Sequence, residues 1–167
     1  MTGWILLALA ILITGFGVAG FTGAPYVPVL KRDHEALLKL ADLKPGQTLI
    51  DLGAGDGYLL RAAARRGIRG IGYEINPVMV IVAKILCFRH RKLVQVHLAD
   101  FWHLATPPAD AIYVFLIPRL MSKLDHKLAA EIKRHTKVIS YAFEIPGKQP
   151  KLATANAFLY EYGSHPN

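Results

Sequence analysis

The sequence predicts an α/β fold in which a mostly parallel central sheet carries helices on both faces, preceded by one N-terminal transmembrane helix. Short apolar runs of strand length alternate along the chain with segments of helical apolar spacing, a pattern typical of parallel sheets. Acidic residues follow or end three of these runs, at Asp51, Glu74 and Asp100. The first 30 residues contain no charged side chain.

The uncharged N-terminal segment predicts a membrane anchor over residues 1–24. Residues 4–21 are almost wholly apolar, and about 20 such residues cross the hydrocarbon core of a bilayer. A cleaved signal peptide is the alternative, although the basic region that normally begins one is missing. Lys31 and Arg32 are the first charges, so the positive-inside rule predicts a single-pass membrane protein with its main domain in the cytoplasm. The single Cys87 agrees, because it has no disulfide partner.

The elements after the anchor follow from apolar spacing and from helix and turn signals. Residues 25–46 are predicted to be a segment with one helix that precedes the main domain, and residues 47–167 to form that domain. Asn76 and Pro77 mark a helix start as cap and first residue. Residues 106–108 are too short and proline-broken for a full crossover helix. The predicted helices are 32–43, 58–66, 78–88 and 120–134. The first predicted strand begins at Leu49, and the other predicted strands cover 70–74, 93–99, 111–117, 138–143 and 157–162.

The loop after the first strand has the features of a nucleotide-type cofactor site. Residues 51–57 read Asp-Leu-Gly-Ala-Gly-Asp-Gly, and a predicted helix follows at once, so its free N–H groups point at the loop's ligand. A dinucleotide loop would need glycine at the position of Tyr58. Asp51 suits an ammonium group and would repel a pyrophosphate. The predicted cofactor is therefore S-adenosylmethionine, and a glycine-rich turn without a ligand is the alternative.

Two further acids stand where a nucleoside cofactor needs them. Glu74 ends the second strand, and a carboxylate at that position accepts ribose hydroxyls in nucleoside-binding α/β folds. Asp100 follows the third strand, where it is predicted to accept the adenine amino group beside a stacking aromatic ring, Phe101. A solvated residue at the strand end is the alternative for each acid alone. No metal site is predicted, because the seven histidines form no His-x-x-x-His pair and there is one cysteine.

The net charge of +8 raises the question of an acidic partner. Basic residues cluster around the first two helices of the main domain, without a recognisable nucleic-acid-binding motif. Attraction of a basic cytoplasmic face to anionic lipid headgroups, together with solvated helix faces, explains the charge more simply. Nucleic acid is thus an unfavoured partner, and the membrane is the predicted one.

The loop at 51–57, followed by Gly-Tyr-Glu-Ile-Asn-Pro at 72–77, resembles the class I S-adenosylmethionine-dependent methyltransferases, which have a Rossmann-like fold. More narrowly, the order of parts resembles the small membrane-anchored protein-lysine methyltransferases of the ATP synthase c-subunit and the adenine nucleotide translocase. A Pro-Tyr-Val-Pro stretch at 25–28 and an apolar run ending in proline at 115–118 belong to that resemblance.

The resemblance implies N-methylation of lysine on a membrane-associated protein. On this hypothesis Tyr26 closes over the cofactor or lines the lysine channel, and the backbone ending at Pro118 lines the acceptor side. An interfacial membrane anchor is the alternative for Tyr26. Other acceptors are a lipid headgroup, a small molecule or RNA, and a non-catalytic cofactor-binding membrane subunit is the alternative of a different class. The residues predicted to hold S-adenosylmethionine are Asp51, Gly53, Ala54, Gly55, Gly57, Glu74, Asn76, Asp100 and Phe101.

Overall fold

The computed structural model of the chain describes residue 3 and residues 31–163. Its helices and strands alternate, with short 3-10 turns at Phe88–His90 and Phe101–His103. In chain order the elements are α1 (Lys31–Ala41), β1 (Thr48–Leu52), α2 (Tyr58–Ala64), β2 (Arg69–Glu74), α3 (Pro77–Cys87), β3 (Val94–Leu98), β4 (Ala111–Val114), α4 (Pro118–Glu131), β5 (Thr136–Tyr141), β6 (Leu152–Ala153) and β7 (Ala157–Tyr162).

The seven strands form one sheet in the order β3-β2-β1-β4-β5-β7-β6. The first five strands pair in parallel, and β7 lies antiparallel between β5 and β6. This confirms the Rossmann-like α/β fold with a mostly parallel sheet. The strand order reverses between β1 and β4, which is where ligands bind in open α/β sheets.

Alternating strand positions bury the two faces of the sheet against different helices. Leu49 of β1 and Ala111 of β4 share a buried cluster with residues of α1 and α2. The next residues, Ile50 and Ile112, pack with α4 on the opposite face. α3 joins the first face, because its Val80 packs in a cluster with β3. The helices therefore lie on both faces of the sheet, as predicted.

Two helices that border the site begin at residues that favour a helix start. The side chain of Asn76 accepts hydrogen bonds from the N–H groups of Val78 and Met79, at 2.9 and 3.4 Å, and so caps α3. Pro118 is the first residue of α4, where its missing N–H costs no intrahelical hydrogen bond.

Several element boundaries differ from those that the sequence predicts. β4 ends at Val114, and residues 115–117 are an extended link to Pro118 rather than the end of the strand. α4 accordingly begins two residues earlier than predicted. The two-residue strand β6 was not predicted. The absence of a crossover helix between β3 and β4 is confirmed, since the described link contains a single 3-10 turn.

The predicted anchor at residues 1–24, apart from residue 3, lies outside the described residues, as do the stretch 25–28 and Tyr26. Within the part of the chain that the structure describes, no helix has both the length and the apolar character needed to cross a bilayer.

Candidate active site

The glycine loop is hydrogen-bonded to the neighbouring strand β2 and lies at the carboxyl edge of the sheet. The N–H groups of Gly53 and Ala54 both donate to the carbonyl of Tyr73, at 2.9 and 3.0 Å. Gly53 has a φ of +112°, a conformation that favours glycine, and a Cβ at that position would meet no atom within 4 Å. The loop therefore offers bare backbone to open space at Gly53.

Two other glycines allow close packing behind the loop. A Cβ on Gly57 would lie 2.9 Å from Sγ of Cys87 on α3, and the residue has a φ of +74°. A Cβ on Gly72 of β2 would lie 2.7 Å from both Cβ of Ala54 and Cδ1 of Leu60. Gly57 thus faces α3 as well as bordering the loop. Gly72 was missed as a site residue, although the Gly-x-Gly spacing of β2 puts two glycines on one face of a strand.

Asp51 places a buried carboxylate at the base of the loop. Its exposed fraction is 3%, and its Oδ1 has no hydrogen-bond partner among the described residues. Burial, followed by the charges of Glu74 and Asp56, raises the pKa of Asp51 to about 8. An uncompensated buried carboxylate of this kind is stabilised by a cation placed against it.

Tyr113 of β4 adds a second buried polar group beside Asp51, its register partner on β1. Its hydroxyl also has no hydrogen-bond partner within the described part of the chain. Burial and then the charge of Asp51 raise the pKa of Tyr113 well above its ordinary value, so the phenol stays protonated. The sequence did not indicate this residue, because its strand reads as uniformly apolar.

Glu74 joins the loops that follow β1 and β2. Its Oε2 accepts the N–H of Gly55 at 2.9 Å, and its Oε1 accepts the N–H of Asn76 at 2.8 Å. Each carboxylate oxygen has two acceptor positions, so each retains one for a ligand hydroxyl. Asn76 is buried and its side chain caps α3. It contacts Glu74 through its backbone N–H, while its side chain is used by the cap.

Asp100 follows β3 and caps the 3-10 turn Phe101–His103. Its Oδ1 accepts the N–H of Trp102 at 3.0 Å, and its Oδ2 lies 3.0 Å from Nδ1 of His103. The ring of Phe101 is half-buried, with its centroid 4.5 Å from that of Trp102. The N–H of Ala99 donates to the carbonyl of Glu74, which holds this turn beside the end of β2. The three strand-end acids thus share one edge of the sheet.

An aromatic cluster lies at the same edge, after β4 and β5. Phe115 packs edge-on against Tyr141 with centroids 5.0 Å apart and stacks on Phe143 at 6.4 Å. The hydroxyl of Tyr141 donates to Oδ2 of Asp33 on α1 at 2.7 Å. Pro118 is exposed just beyond Phe115. The sequence drew attention to Phe115 and Pro118 but not to Asp33, Tyr141 or Phe143.

Over residues 51–152 the sequence matches a family described as the ANTKMT methyltransferase domain. The chain belongs to this family. The match runs from the buried Asp51 through Glu74 and Asp100 to β6, so it includes the described strand-end acids and most of the aromatic cluster.

Related proteins agree with this methyltransferase family. The human lysine N-methyltransferase of the ATP synthase c-subunit is 29% identical over 132 residues, which are 78% of this chain and 56% of that protein. The mouse adenine nucleotide translocase lysine N-methyltransferase is 36% identical over 129 residues, 75% of this chain and 56% of that protein. The chain therefore spans about half the length of these relatives.

A solved structure is similar over a larger share of both chains. The RNA methyltransferase from Salinibacter ruber, in complex with S-adenosyl-L-homocysteine, is 29% identical with a TM-score of 0.74, covering 81% of this chain and 92% of that chain. With the family match, this identifies S-adenosylmethionine as the cofactor of the methyltransferase, as the sequence predicts.

The residues present fit this cofactor. The buried Oδ1 of Asp51 has no hydrogen-bond partner among the described residues, and the amino-acid tail of S-adenosylmethionine carries an ammonium group that can pair with it. The open space at Gly53 leaves room for a ligand against the backbone. Glu74 keeps acceptor positions that ribose hydroxyls can fill.

Proposed function

We propose that the protein is an S-adenosylmethionine-dependent methyltransferase that N-methylates a lysine side chain on a membrane-associated protein. The observation that carries the proposal is the buried carboxylate oxygen of Asp51 beneath an open glycine loop, for which the described part of the chain provides no hydrogen-bond partner. The family match and the lysine N-methyltransferase activities for which the human and mouse relatives are named support lysine as the acceptor.

On the donor side, Asp51 binds the ammonium group of the cofactor's amino-acid tail. Glu74 accepts ribose hydroxyls with its remaining lone pairs while its hydrogen bonds to Gly55 and Asn76 keep the carboxylate in place. Asp100 accepts the adenine amino group, and Phe101 packs on the ring. Gly53 and Ala54 offer backbone to the tail, Gly57 lets α3 pack close behind the loop, and Asn76 positions Glu74.

On the acceptor side, the lysine enters beside the rings of Phe115, Tyr141 and Phe143, and the backbone before Pro118 lines the same side. The carboxylate of Asp33, which accepts a hydrogen bond from Tyr141, attracts a lysine ammonium group to this edge. The aromatic rings then remove water around the amine, which lowers the pKa of the lysine and favours its neutral, nucleophilic form.

The cofactor supplies a methyl carbon that is already activated by its sulfonium group. Held by Asp51, Glu74 and Asp100, it would supply that methyl group for displacement by the neutral lysine nitrogen, with a thioether as the leaving group and a proton released to solvent. The protein contributes mainly by holding donor and acceptor in line, because placement dominates the rate of such a step.

The N-terminal residues complete the proposal. Residues 1–24 form a membrane anchor, residues 25–46 a linking segment with α1, and residues 47–167 the methyltransferase domain, held at the cytoplasmic membrane surface. Tyr26 closes over the site from the linking segment. The anchor raises the effective concentration of acceptors near the bilayer without adding contacts to them.

The test uses isolated membranes and a radiolabelled methyl donor. Full-length protein and its Asp51→Asn variant are incubated with the membranes, and protein, lipid and nucleic acid are then separated. Asp42→Asn is the control variant, because Asp42 is exposed at the end of α1. We expect label in methyl-lysine of a protein hydrolysate with the unsubstituted and Asp42→Asn proteins and none with Asp51→Asn. Label confined to the organic phase or to nucleic acid, or equal label with Asp51→Asn, would contradict the proposal.

A further inference from the structure

The outer face of α3 exposes a stripe of large apolar side chains. Ile81, Ile85 and Phe88 are spaced four and three residues apart, so they lie one above another on the helix surface and its continuation. Their exposed fractions are 60%, 68% and 62%, and Leu86 beside them is 46% exposed. The opposite side of α3 packs against the core. We call these four side chains the α3 patch.

The stretch of sequence that carries the α3 patch is basic and has no acidic side chain. Residues 75–99 contain no Asp or Glu. Arg91 lies with its guanidinium carbon 4.6 Å from the centroid of Phe88, so one cation stands directly over the apolar stripe. The exposed bases of the stretch are Lys84, Arg89, Arg91 and Lys92.

A groove lies between α3 and the edge strand β3, next to the α3 patch. Its volume is about 400 Å³, and Lys84, Arg91 and Phe88 are among its lining residues. The groove therefore joins two cations to an aromatic ring at the foot of the apolar stripe. A lipid with an anionic headgroup and an acyl chain is complementary to this surface, with the headgroup charge in the groove and the hydrocarbon on the stripe.

From this charge and apolar complementarity, we propose that the α3 patch docks on the surface of an anionic lipid bilayer. Contiguous exposed apolar surface rimmed by cations is typical of interfacial membrane contacts. Single-stranded nucleic acid would instead call for stacked aromatic rings, whereas this stripe is mainly aliphatic. The proposal is independent of methyl transfer and of the N-terminal segment, because it rests on α3 and its neighbours alone.

Docking would orient the enzyme as well as retain it. α3 begins at Pro77, directly after Glu74 and Asn76 at the carboxyl edge of the sheet. A bilayer against α3 therefore runs alongside the edge at which the strand-end acids lie. The opposite flank of the sheet, which ends in β6, would face away from the lipid.

The test places one environment-sensitive fluorophore at a time on the full-length protein. Ile85→Cys carries the fluorophore on the α3 patch, and Leu152→Cys carries it on β6, where Leu152 is also an exposed large apolar residue. Cys87 is buried, so the unsubstituted protein gives the background labelling. Each labelled protein is mixed with phosphatidylcholine vesicles, with and without phosphatidylserine, that contain nitroxide lipids as quenchers. Unchanged melting temperature and S-adenosylhomocysteine affinity verify that each labelled protein is folded.

We expect strong quenching at position 85 and little at 152, with greater quenching when phosphatidylserine is present. Replacing Arg89 and Lys92 by Gln should reduce the quenching at position 85 by about half or more, because each nearby cation strengthens attraction to the anionic surface. Three results would overturn the proposal. These are equal quenching at the two positions, a shielded fluorophore at position 85 in the absence of lipid, and a response at position 85 to single-stranded RNA but not to vesicles.

Discussion

Asp51 and Tyr113 are register partners on the adjacent parallel strands β1 and β4, and each has a buried oxygen without a hydrogen-bond partner among the described residues. Buried polar atoms in folded proteins are nearly always hydrogen-bonded. Two neighbouring buried oxygens without such a bond, at the point where the strand order reverses, therefore indicate a place where a ligand can bind.

The Asp51 carboxylate should destabilise the unliganded protein at neutral and higher pH. Its pKa is about 8 in the folded chain and near its ordinary 3.8 in the unfolded chain. Between these pH values the folded state holds a proton that the unfolded state has lost, so the free energy of unfolding falls as the pH rises. Asp51→Asn removes this dependence and should be more stable than the unsubstituted protein by about 1 kcal/mol or more at pH 8.

Thermal melting from about pH 5 to pH 8 measures this effect. The melting temperatures of Asp51→Asn and the unsubstituted protein should diverge as the pH rises, and those of the exposed Asp42→Asn control should not. Parallel curves for all three proteins would show that Asp51 is not protonated in the folded state.

Glu74→Gln should weaken cofactor binding by roughly tenfold to a hundredfold, because a neutral amide is a poorer acceptor for the ribose hydroxyls and for the N–H groups of Gly55 and Asn76. Titration calorimetry with S-adenosylhomocysteine checks this, with the exposed Glu144→Gln as control. The ribose contact itself is tested with a 2′-deoxy analogue. If Glu74→Gln loses as much affinity for the analogue as for the parent ligand, Glu74 acts only on the loop.

Gly72→Ala should cost about 1–3 kcal/mol of stability, because the added Cβ meets Ala54 and Leu60 at 2.7 Å. It should also weaken S-adenosylhomocysteine binding, since Ala54 belongs to the cofactor loop. Gly147→Ala is the matched control. Gly147 has open space but a φ of +74°, so its substitution costs backbone strain alone. Urea unfolding should show a loss for both variants, and calorimetry an affinity loss for Gly72→Ala only.

Tyr141→Phe should lower kcat/KM for the protein acceptor by about tenfold while leaving cofactor affinity unchanged. The substitution removes the hydrogen bond to Asp33 that positions the carboxylate near the acceptor pocket. Tyr162→Phe is the control, because Tyr162 likewise donates to a carboxylate, that of Asp125, but stands at the opposite end of β5 and β7. Equal loss in the two variants, or a loss of cofactor affinity in Tyr141→Phe, would place Tyr141 outside the acceptor site.

Much of the fold is encoded by short-range signals in the sequence. Asn76 and Pro77 predict the start of α3, and the apolar run at 157–162 predicts β7 with its observed bounds. The elements that were missed depend on pairing with distant segments. β6 consists of two exposed residues that are strand only because β7 lies beside them. Phe115 has strand-like neighbours, but the β4–β5 pairing ends at Val114, so it belongs to the link before α4.

The candidate site likewise contains residues that short-range sequence signals predicted and residues that depend on distant packing. The donor-side acids were predicted because each stands at the end of a strand-like run, where the fold class predicts ligand binding. The pairing of Asp33 with Tyr141 was not predictable, because the two residues are 108 positions apart and meet only through the packing of α1 near β5. Asn76 and Gly57 were predicted as cofactor-binding residues. In the structure, Asn76 also caps α3, and Gly57 also packs closely against α3.

Proton release on cofactor binding tests the central claim most directly. The claim is that the buried Asp51 carboxylate receives the cofactor's ammonium group, and a bound cation must lower the pKa of Asp51 from about 8. Calorimetry with S-adenosylhomocysteine near pH 6.5, in buffers of different ionisation enthalpy, should show release of close to one proton per ligand, because Asp51 is then mostly protonated before binding. Asp51→Asn should release none and bind at least tenfold more weakly. Binding without proton release, at equal affinity in the unsubstituted and Asp51→Asn proteins, would contradict the account.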